Sequence, residues 1–347
     1  MSEAVVADSQ SELPHWLAAQ RNQLLASPAH ALLLHGASGL GQYELALSIA
    51  QSWLCEAADL PERLATGEGA CGQCASCQQI RARSHTDLLV LMPETVMLAL
   101  GWPLSEKAQS DIDGKKRKPS KDIRIDDVRE AVAFAELTSG RGRGKAILVY
   151  PAEQLNLASA NALLKTLEEP QGGLRFVLAT EAAHQLLPTI RSRCQAFALT
   201  APSQAQAIQW LTQQTQATAP ELEMALHASG QRPGDALALV QSGLAVQWHK
   251  LPLALHKGQM QAVAQWSPAQ LLDAMHKLCH DLWASKLGAA PRFSKSKIYP
   301  KPRPPRALTA WSKQLVSLSR QIEHPFKPDL LIEDMVNQAK LCLNSRV

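Results

Sequence analysis

The sequence predicts an α/β fold, in which a parallel sheet has helices on both faces and is followed by a wholly helical region. Over the first 200 residues, short apolar runs typical of buried strands alternate with segments of helical periodicity. Such alternation is typical of a parallel sheet with crossover helices. Beyond about residue 200 the strand signals disappear, so we expect only helices there. The length of 347 residues is sufficient for two or three domains.

The elements of the α/β region follow from these runs in order. Four strands are predicted, at residues 31–35, 87–91, 146–150 and 176–180. Helical patterns are found at residues 14–30, 42–55, 125–137 and 158–168. The segment from Ala99 to Lys121 is polar and lacks periodicity, which predicts an inserted surface loop.

Composition and charge exclude some classes of protein. The absence of any apolar run of 18 residues means that we expect no membrane-spanning helix and no membrane partner. The residues from Met1 to Asp8 lack a basic segment followed by an apolar one, so we expect a cytoplasmic protein. The net charge of +4 does not by itself indicate nucleic-acid binding.

Basic residues are concentrated in two stretches. One is Lys115–Lys118, and the other runs from Lys286 to Arg306 with five prolines and no acidic residue. The simplest interpretation of each stretch is a solvent-facing loop. Contact with DNA is the alternative for Lys115–Lys118.

A degenerate phosphate loop follows the first predicted strand. A working loop has the pattern G-x-x-x-x-G-K-[ST], in which the lysine reaches the phosphates and the hydroxyl binds Mg²⁺. Here Gly36 and Gly41 are in register, but Gln42 and Tyr43 replace the lysine and the hydroxyl residue. An ordinary turn between strand and helix is the alternative for an isolated glycine pair.

The acidic residues of a nucleotide site are also missing. The aspartate that holds Mg²⁺ ends a strand, yet the corresponding strand here ends in Tyr150 and Pro151. Because the cation, the hydroxyl and the carboxylates are all absent, we expect neither a functional ATP/Mg²⁺ site nor ATP hydrolysis by this chain.

Four cysteines have the spacing of a metal site. Cys71, Cys74 and Cys77 follow a C-x2-C-x2-C pattern, and Cys55 ends the preceding helix. Four thiolates suit tetrahedral Zn²⁺ and leave no position open, which predicts a structural zinc ion. An iron–sulfur cluster is the alternative. The cysteines outside this cluster are isolated in the sequence.

The remaining motifs resemble the bacterial clamp-loader family within the AAA+ ATPases. The resemblance is carried by Ala160-Asn161-Ala162-Leu163-Leu164-Lys165-Thr166-Leu167-Glu168-Glu169-Pro170, by the triplet Ser192-Arg193-Cys194, and by the four-cysteine cluster. It extends more weakly through Gly230–Leu237 and through the segment from His324-Pro325 to Met335. Because Gln42, Tyr43, Tyr150 and Pro151 depart from the ATPase subunits gamma and tau, the chain is similar to the family's non-hydrolysing delta-prime branch.

The resemblance implies an organisation and a role. It implies an AAA+ core over residues 1–200 with a zinc module at about 55–77, a helical lid over 201–243 and a helical collar over 244–347. It also implies a hetero-pentamer with three gamma/tau subunits and one delta subunit within the DNA polymerase III holoenzyme, a nucleotidyltransferase. That assembly would act on the beta sliding clamp and primer-template DNA.

The same resemblance assigns a role to Arg193. In the family, the arginine of this triplet enters the ATP site of the adjacent gamma subunit. An arginine supplied in trans can stabilise the charge on a transferring phosphoryl group. Without the resemblance, Arg193 would be interpreted as an ordinary surface arginine. Lys165, Glu168 and Glu169 are interpreted as surface charges of a helix.

Two other functions compete with this interpretation. A gamma-like motor would hydrolyse ATP, but the residues at positions 42 and 150 argue against it. A stand-alone zinc-finger DNA binder would use the cysteines and the basic stretches. The small net charge argues against that function, because tight DNA binding depends on many cationic phosphate contacts.

Overall fold

The computed structural model describes residues 13–294, 304–322 and 327–345. Within them the chain divides into two compact units, with the break between Pro202 and Ser203. Residues 1–8, the centre of the second basic stretch and His324-Pro325 lie outside the described residues. The three-domain division stays a prediction.

The first unit is built on a five-stranded sheet in which all strand pairs are parallel. The strand order is β2-β3-β4-β1-β5. The four predicted strands are confirmed. A fifth strand, Gln195–Ala198, was not predicted, because its short and largely exposed sequence lacks an apolar pattern. The strands are β1 (Ala31–His35), β2 (Leu88–Leu91), β3 (Lys145–Val149), β4 (Leu174–Thr180) and β5 (Gln195–Ala198).

Alternate residues of the central strands enter two different hydrophobic cores. In β1, Leu32 and Leu34 belong to one core, whereas Ala31 and Leu33 belong to the other. The other central strands, β3 and β4, divide their residues in the same way. Both faces of the sheet are therefore covered, which is why these strands read as continuous apolar runs.

Nine α-helices accompany this sheet in the described part of the first unit. They are α1 (His15–Leu25), α2 (Gln42–Leu54), α3 (Leu60–Thr66), α4 (Ala75–Arg81), α5 (Glu94–Leu100), α6 (Glu106–Asp113), α7 (Ile125–Glu136), α8 (Leu157–Glu168) and α9 (Pro188–Arg191).

The structure corrects the prediction of an irregular loop between residues 99 and 121. The segment contains α6, whose first turn is capped by the Ser105 hydroxyl accepting from the Ala108 N–H. Arg117 forms a two-pronged ion pair with the nearly buried Glu94, and its Nη2–Oε1 distance is 2.7 Å. The three lysines around Arg117 are exposed. The helix was not predicted because its sequence is polar and, of its described residues, only Ala108 is buried.

The second unit contains helices only in its described residues. They are α10 (Gln204–Gln214), α11 (Ala219–Ala228), α12 (Pro233–Gln241), α13 (Ala245–Trp248), α14 (Leu251–Lys257), α15 (Pro268–Lys286), α16 (Pro305–Gln321) and α17 (Pro328–Asn344). A smaller core joins α10 to α13, and a larger one contains the fully buried Trp311. Among the described helices of the whole chain, none combines the length and the apolar character needed to cross a membrane.

Candidate functional site

The degenerate phosphate loop joins β1 to α2 at the carboxyl edge of the sheet. Ligands of open parallel sheets bind at this edge. Gly41 precedes α2 with a left-handed φ of 95°. A Cβ atom on Gly41 would lie 2.5 Å from Cδ1 of Leu17, which belongs to α1. Glycine is therefore favoured at position 41 both by the backbone conformation and by the close packing of α1.

Gln42 turns its side chain back into the loop. Its Nε2 donates to the carbonyl oxygens of Gly36 at 3.1 Å and Ala37 at 2.6 Å. The side chain is buried, and 2% of the residue is exposed. A lysine at this position of a working loop reaches out to phosphates. The Gln42 amide instead forms hydrogen bonds within the loop.

Two tyrosines occupy the positions of the magnesium-binding groups. The rings of Tyr43 and Tyr150 lie 5.4 Å apart between centroids, and both residues are buried. The Nε1–H of Trp102 donates to the Tyr43 hydroxyl at 2.7 Å. Burial raises the pKa of Tyr43 to about 12 and raises the pKa of Tyr150 well above its usual value. Neutral aromatic groups thus fill the place of a hydroxyl and a carboxylate.

The four predicted cysteines come together at the end of α2. Their Sγ atoms all lie within 4.8 Å of one another. The Cys55–Cys74 and Cys71–Cys77 sulfur distances are both 4.0 Å. Bonds of about 2.3 Å from a central zinc ion place tetrahedral sulfurs about 3.8 Å apart. The cluster can therefore hold a metal ion of this size.

Backbone N–H groups surround the same sulfurs. The N–H of Glu56 donates to the Cys74 sulfur at 3.5 Å, and the N–H of Cys71 donates to the Cys55 sulfur at 3.4 Å. Although burial acts in the opposite direction, hydrogen bonds from the backbone of Cys74 and Gln73 lower the pKa of Cys71 to about 7. Burial raises the pKa of Cys77, and a bound metal ion would favour the thiolate form.

Buried polar contacts attach the cysteine cluster to the sheet. Ser76, between two of the cysteines, donates to the Leu54 carbonyl at 2.6 Å and lies 2.8 Å from Nε2 of His85. The His85 Nδ1 accepts from the backbone N–H of Asp87, one residue before β2. Glu56 and Arg141 form an ion pair nearby. These contacts join the cysteine cluster to the carboxyl end of α2, the helix that follows the phosphate loop.

Arg193 lies between α9 and β5. Its Nη1 donates to the Thr189 carbonyl at 3.0 Å, and its Nη2 donates to Glu168 Oε1 at 3.1 Å. Ser192 also donates to the Thr189 carbonyl. Burial raises the pKa of the Cys194 thiol to about 12, so it stays protonated. The side chain of Arg193 is 29% exposed, and its Nε is buried without a hydrogen-bond partner among the described residues.

The sequence interpretation missed two partners of these residues. Trp102 was assigned to an inserted loop, and Glu168 was taken as a helix-surface charge. The tyrosines at the two sequence positions of the magnesium-binding groups were a usable signal, because large aromatic side chains at both positions predict that the two rings contact each other. No sequence signal identified Glu168 as the partner of Arg193.

A parallel sheet with a glycine-rich turn between its first strand and a helix defines a protein of the phosphate-loop class, here with the loop filled by its own side chains. The family described as DNA polymerase III, delta subunit, matches residues 17–203. The chain belongs to the DNA polymerase III delta-prime subunit family.

Individual relatives support this assignment. The DNA polymerase III subunit delta' of Pseudomonas aeruginosa is 36% identical over 223 residues, which cover 64% of this chain and 59% of the relative. The corresponding protein of Escherichia coli is 31% identical over 283 residues, or 76% of each chain. The subunit tau of Salmonella typhimurium is 32% identical over 190 residues, which cover 54% of this chain and 24% of tau.

Solved structures include a gamma-subunit-related protein from Thermotoga maritima. It is 15% identical and has a TM-score of 0.44, with 95% of this chain and all of that chain covered.

Proposed function

We propose that this chain is a clamp-loader subunit of DNA polymerase III that completes the ring without hydrolysing ATP. Relatives named as delta', tau and gamma subunits support a role in this assembly. The proposed partners are gamma/tau and delta subunits in a hetero-pentamer. Through that complex the chain would help to place the beta sliding clamp on primer-template DNA.

The proposal of a non-hydrolysing role depends mainly on the phosphate loop, where the chain's own side chains replace the groups that bind phosphate and Mg²⁺. Catalysis of phosphoryl transfer depends on cationic groups and Mg²⁺ that neutralise developing charge. The buried Gln42 amide and the paired rings of Tyr43 and Tyr150 offer no such charge.

Arg193 is the group that this chain would contribute to hydrolysis elsewhere. Its side chain is partly exposed and follows a short helix. A planar guanidinium can hydrogen-bond two phosphate oxygens of a nucleotide bound to the neighbouring subunit. Arginines supplied in trans can increase the rate at the site they serve by about 10³–10⁵-fold.

ATP turnover tests both parts of this proposal. The isolated chain should hydrolyse no ATP above background. In a complex reconstituted with gamma/tau and delta, Arg193→Ala should lower ATPase activity while the matched control Arg191→Ala, an exposed neighbour outside the triplet, should not. Turnover by the isolated chain that disappears in a Gly41→Ala variant would contradict the first part. Unchanged activity of the Arg193→Ala complex would contradict the second.

We also propose that the metal at the four cysteines is structural zinc. Four thiolates complete a tetrahedral shell and leave no position for water, so the ion has no catalytic place. The site connects Cys55 at the end of α2 to Cys74 and Cys77 around α4. Zinc would then stabilise a segment that supplies few buried apolar side chains, since α3 has none.

A further inference from the structure

The guanidinium of Arg193 already has an anionic partner in its own chain. Glu168 accepts from Nη2 at 3.1 Å, and the Thr189 carbonyl accepts from Nη1 at 3.0 Å. The side chain of Glu168 is 56% exposed, against 29% for Arg193. Glu168 is therefore the more exposed member of the pair, and its carboxylate accepts from one of the donor nitrogens of Arg193.

Helix stability does not explain a carboxylate at this position. Glu168 is the last residue of α8, and the carboxyl end of a helix carries partial negative charge that disfavours another anion. Glu169 follows directly and is also exposed. Arg193 offsets the unfavourable charge of Glu168 and makes no described ion pair with Glu169.

The two contacts of Arg193 differ in how readily they can be exchanged. The Thr189 carbonyl belongs to the backbone of α9 and cannot rotate away. Glu168 is an exposed side chain, and ion pairs of this exposure are weak. A phosphate group can form shorter and stronger charge-assisted bonds with a guanidinium than an exposed carboxylate forms in water. Glu168 is therefore the partner that an incoming phosphate would displace.

We propose that Glu168 is a positioning residue that occupies the place of a phosphate group. Glu168 pairs with Arg193 until a phosphate of the nucleotide bound to the neighbouring subunit displaces it. This inference rests on the trans role of Arg193 proposed above. Glu168 competes with the phosphate and does not touch the nucleotide. Nucleotide binding at the adjacent site is consequently weakened by the strength of one exposed ion pair.

The test separates this competition from a general charge effect. In the reconstituted complex, the ATPase rate is measured against ATP concentration, and binding of a non-hydrolysable ATP analogue is measured directly. Glu168→Gln removes the charge and keeps the shape. At the ATP site that responds to Arg193→Ala, the Glu168→Gln variant should lower the half-saturating nucleotide concentration by about two- to fivefold, the range that exposed ion pairs allow. The maximal rate should stay within about twofold.

Two controls make the outcomes distinguishable. Glu169→Gln removes a neighbouring exposed charge and should leave the half-saturating concentration unchanged. Glu168→Gln should also have no effect when Arg193 is already alanine, since the two residues act as one unit. An effect that persists without Arg193 would overturn the inference. An unaltered Glu168→Gln complex beside a defective Arg193→Ala complex would overturn it while leaving the proposed function intact. An unaltered Arg193→Ala complex would remove both.

Discussion

The Tyr43 hydroxyl accepts a buried hydrogen bond from the indole of Trp102, and this contact can be tested directly. Tyr43→Phe leaves the Trp102 N–H without its acceptor, and an unsatisfied buried donor costs about 1–3 kcal/mol. The variant should therefore be less stable by about that amount in urea unfolding. The double variant Tyr43→Phe/Trp102→Phe should lose less stability than the sum of the two single variants. Additive losses would contradict the role of this hydrogen bond.

Ionisation of the same residue predicts a pH dependence. Burial raises the pKa of Tyr43 from 10.0 to about 12 in the folded chain, so the folded chain keeps the proton at a pH where the unfolded chain loses it. The stabilisation is fully present below pH 10 and is lost as pH rises from about 10 to 12. At pH 11 this loss amounts to about 1–1.5 kcal/mol.

Urea unfolding at pH 8 and pH 11 checks this dependence. The free energy of unfolding should fall less between these two pH values in Tyr43→Phe than in the unmodified chain, because phenylalanine cannot ionise. Tyr150, whose pKa burial also raises, remains in both proteins, so Tyr43→Phe should keep part of the fall. An equal fall in the two proteins would show that Tyr43 does not titrate in this range.

At the scale of structural elements, the predicted zinc ion at the four cysteines can be tested directly. About one zinc ion per chain should be present after purification without added metal. Cys74→Ser should lower the zinc content and destabilise the chain by more than about 2 kcal/mol, because loss of a structural metal is among the most damaging changes. Zinc content is measured by a colorimetric chelator assay and stability by thermal unfolding.

Cys194→Ser is the matched control for this experiment. Cys194 lies outside the cluster, so its replacement should leave the zinc content unchanged. Iron in place of zinc would favour the iron–sulfur alternative, and a chain without any metal would refute the site. Lower pH should release the ion, since protons compete with the metal for thiolates.

How well each element could be predicted depended on its source of stability. The strands β1, β3 and β4 are buried on both faces, and their apolar runs were visible in the sequence. The helix α6 was missed because its first turn depends on the Ser105 cap rather than on an apolar face. Likewise the contact between Tyr43 and Tyr150 joins residues far apart in sequence, and only the fold brings them together.

On the scale of the whole molecule, the break between Pro202 and Ser203 lies close to the point where strand signals disappear. The two cores of the sheet contain residues from the first unit only, and the two helical cores contain residues from the second unit only. Sequence patterns detect such a change because the period of apolar residues follows the type of element. The predicted boundary between residues 243 and 244, in contrast, would separate two regions that are both helical.

Separate cores predict that the two units fold independently. Fragments 1–202 and 203–347 should each show a cooperative thermal transition by circular dichroism. The first fragment should also retain the metal of the cysteine cluster, because all four cysteines and the Ser76–His85 contact lie within it. The second should have a purely helical spectrum. A fragment that unfolds without cooperativity would show that its core depends on the other unit, and metal loss from fragment 1–202 would show that the cluster needs support from beyond residue 202.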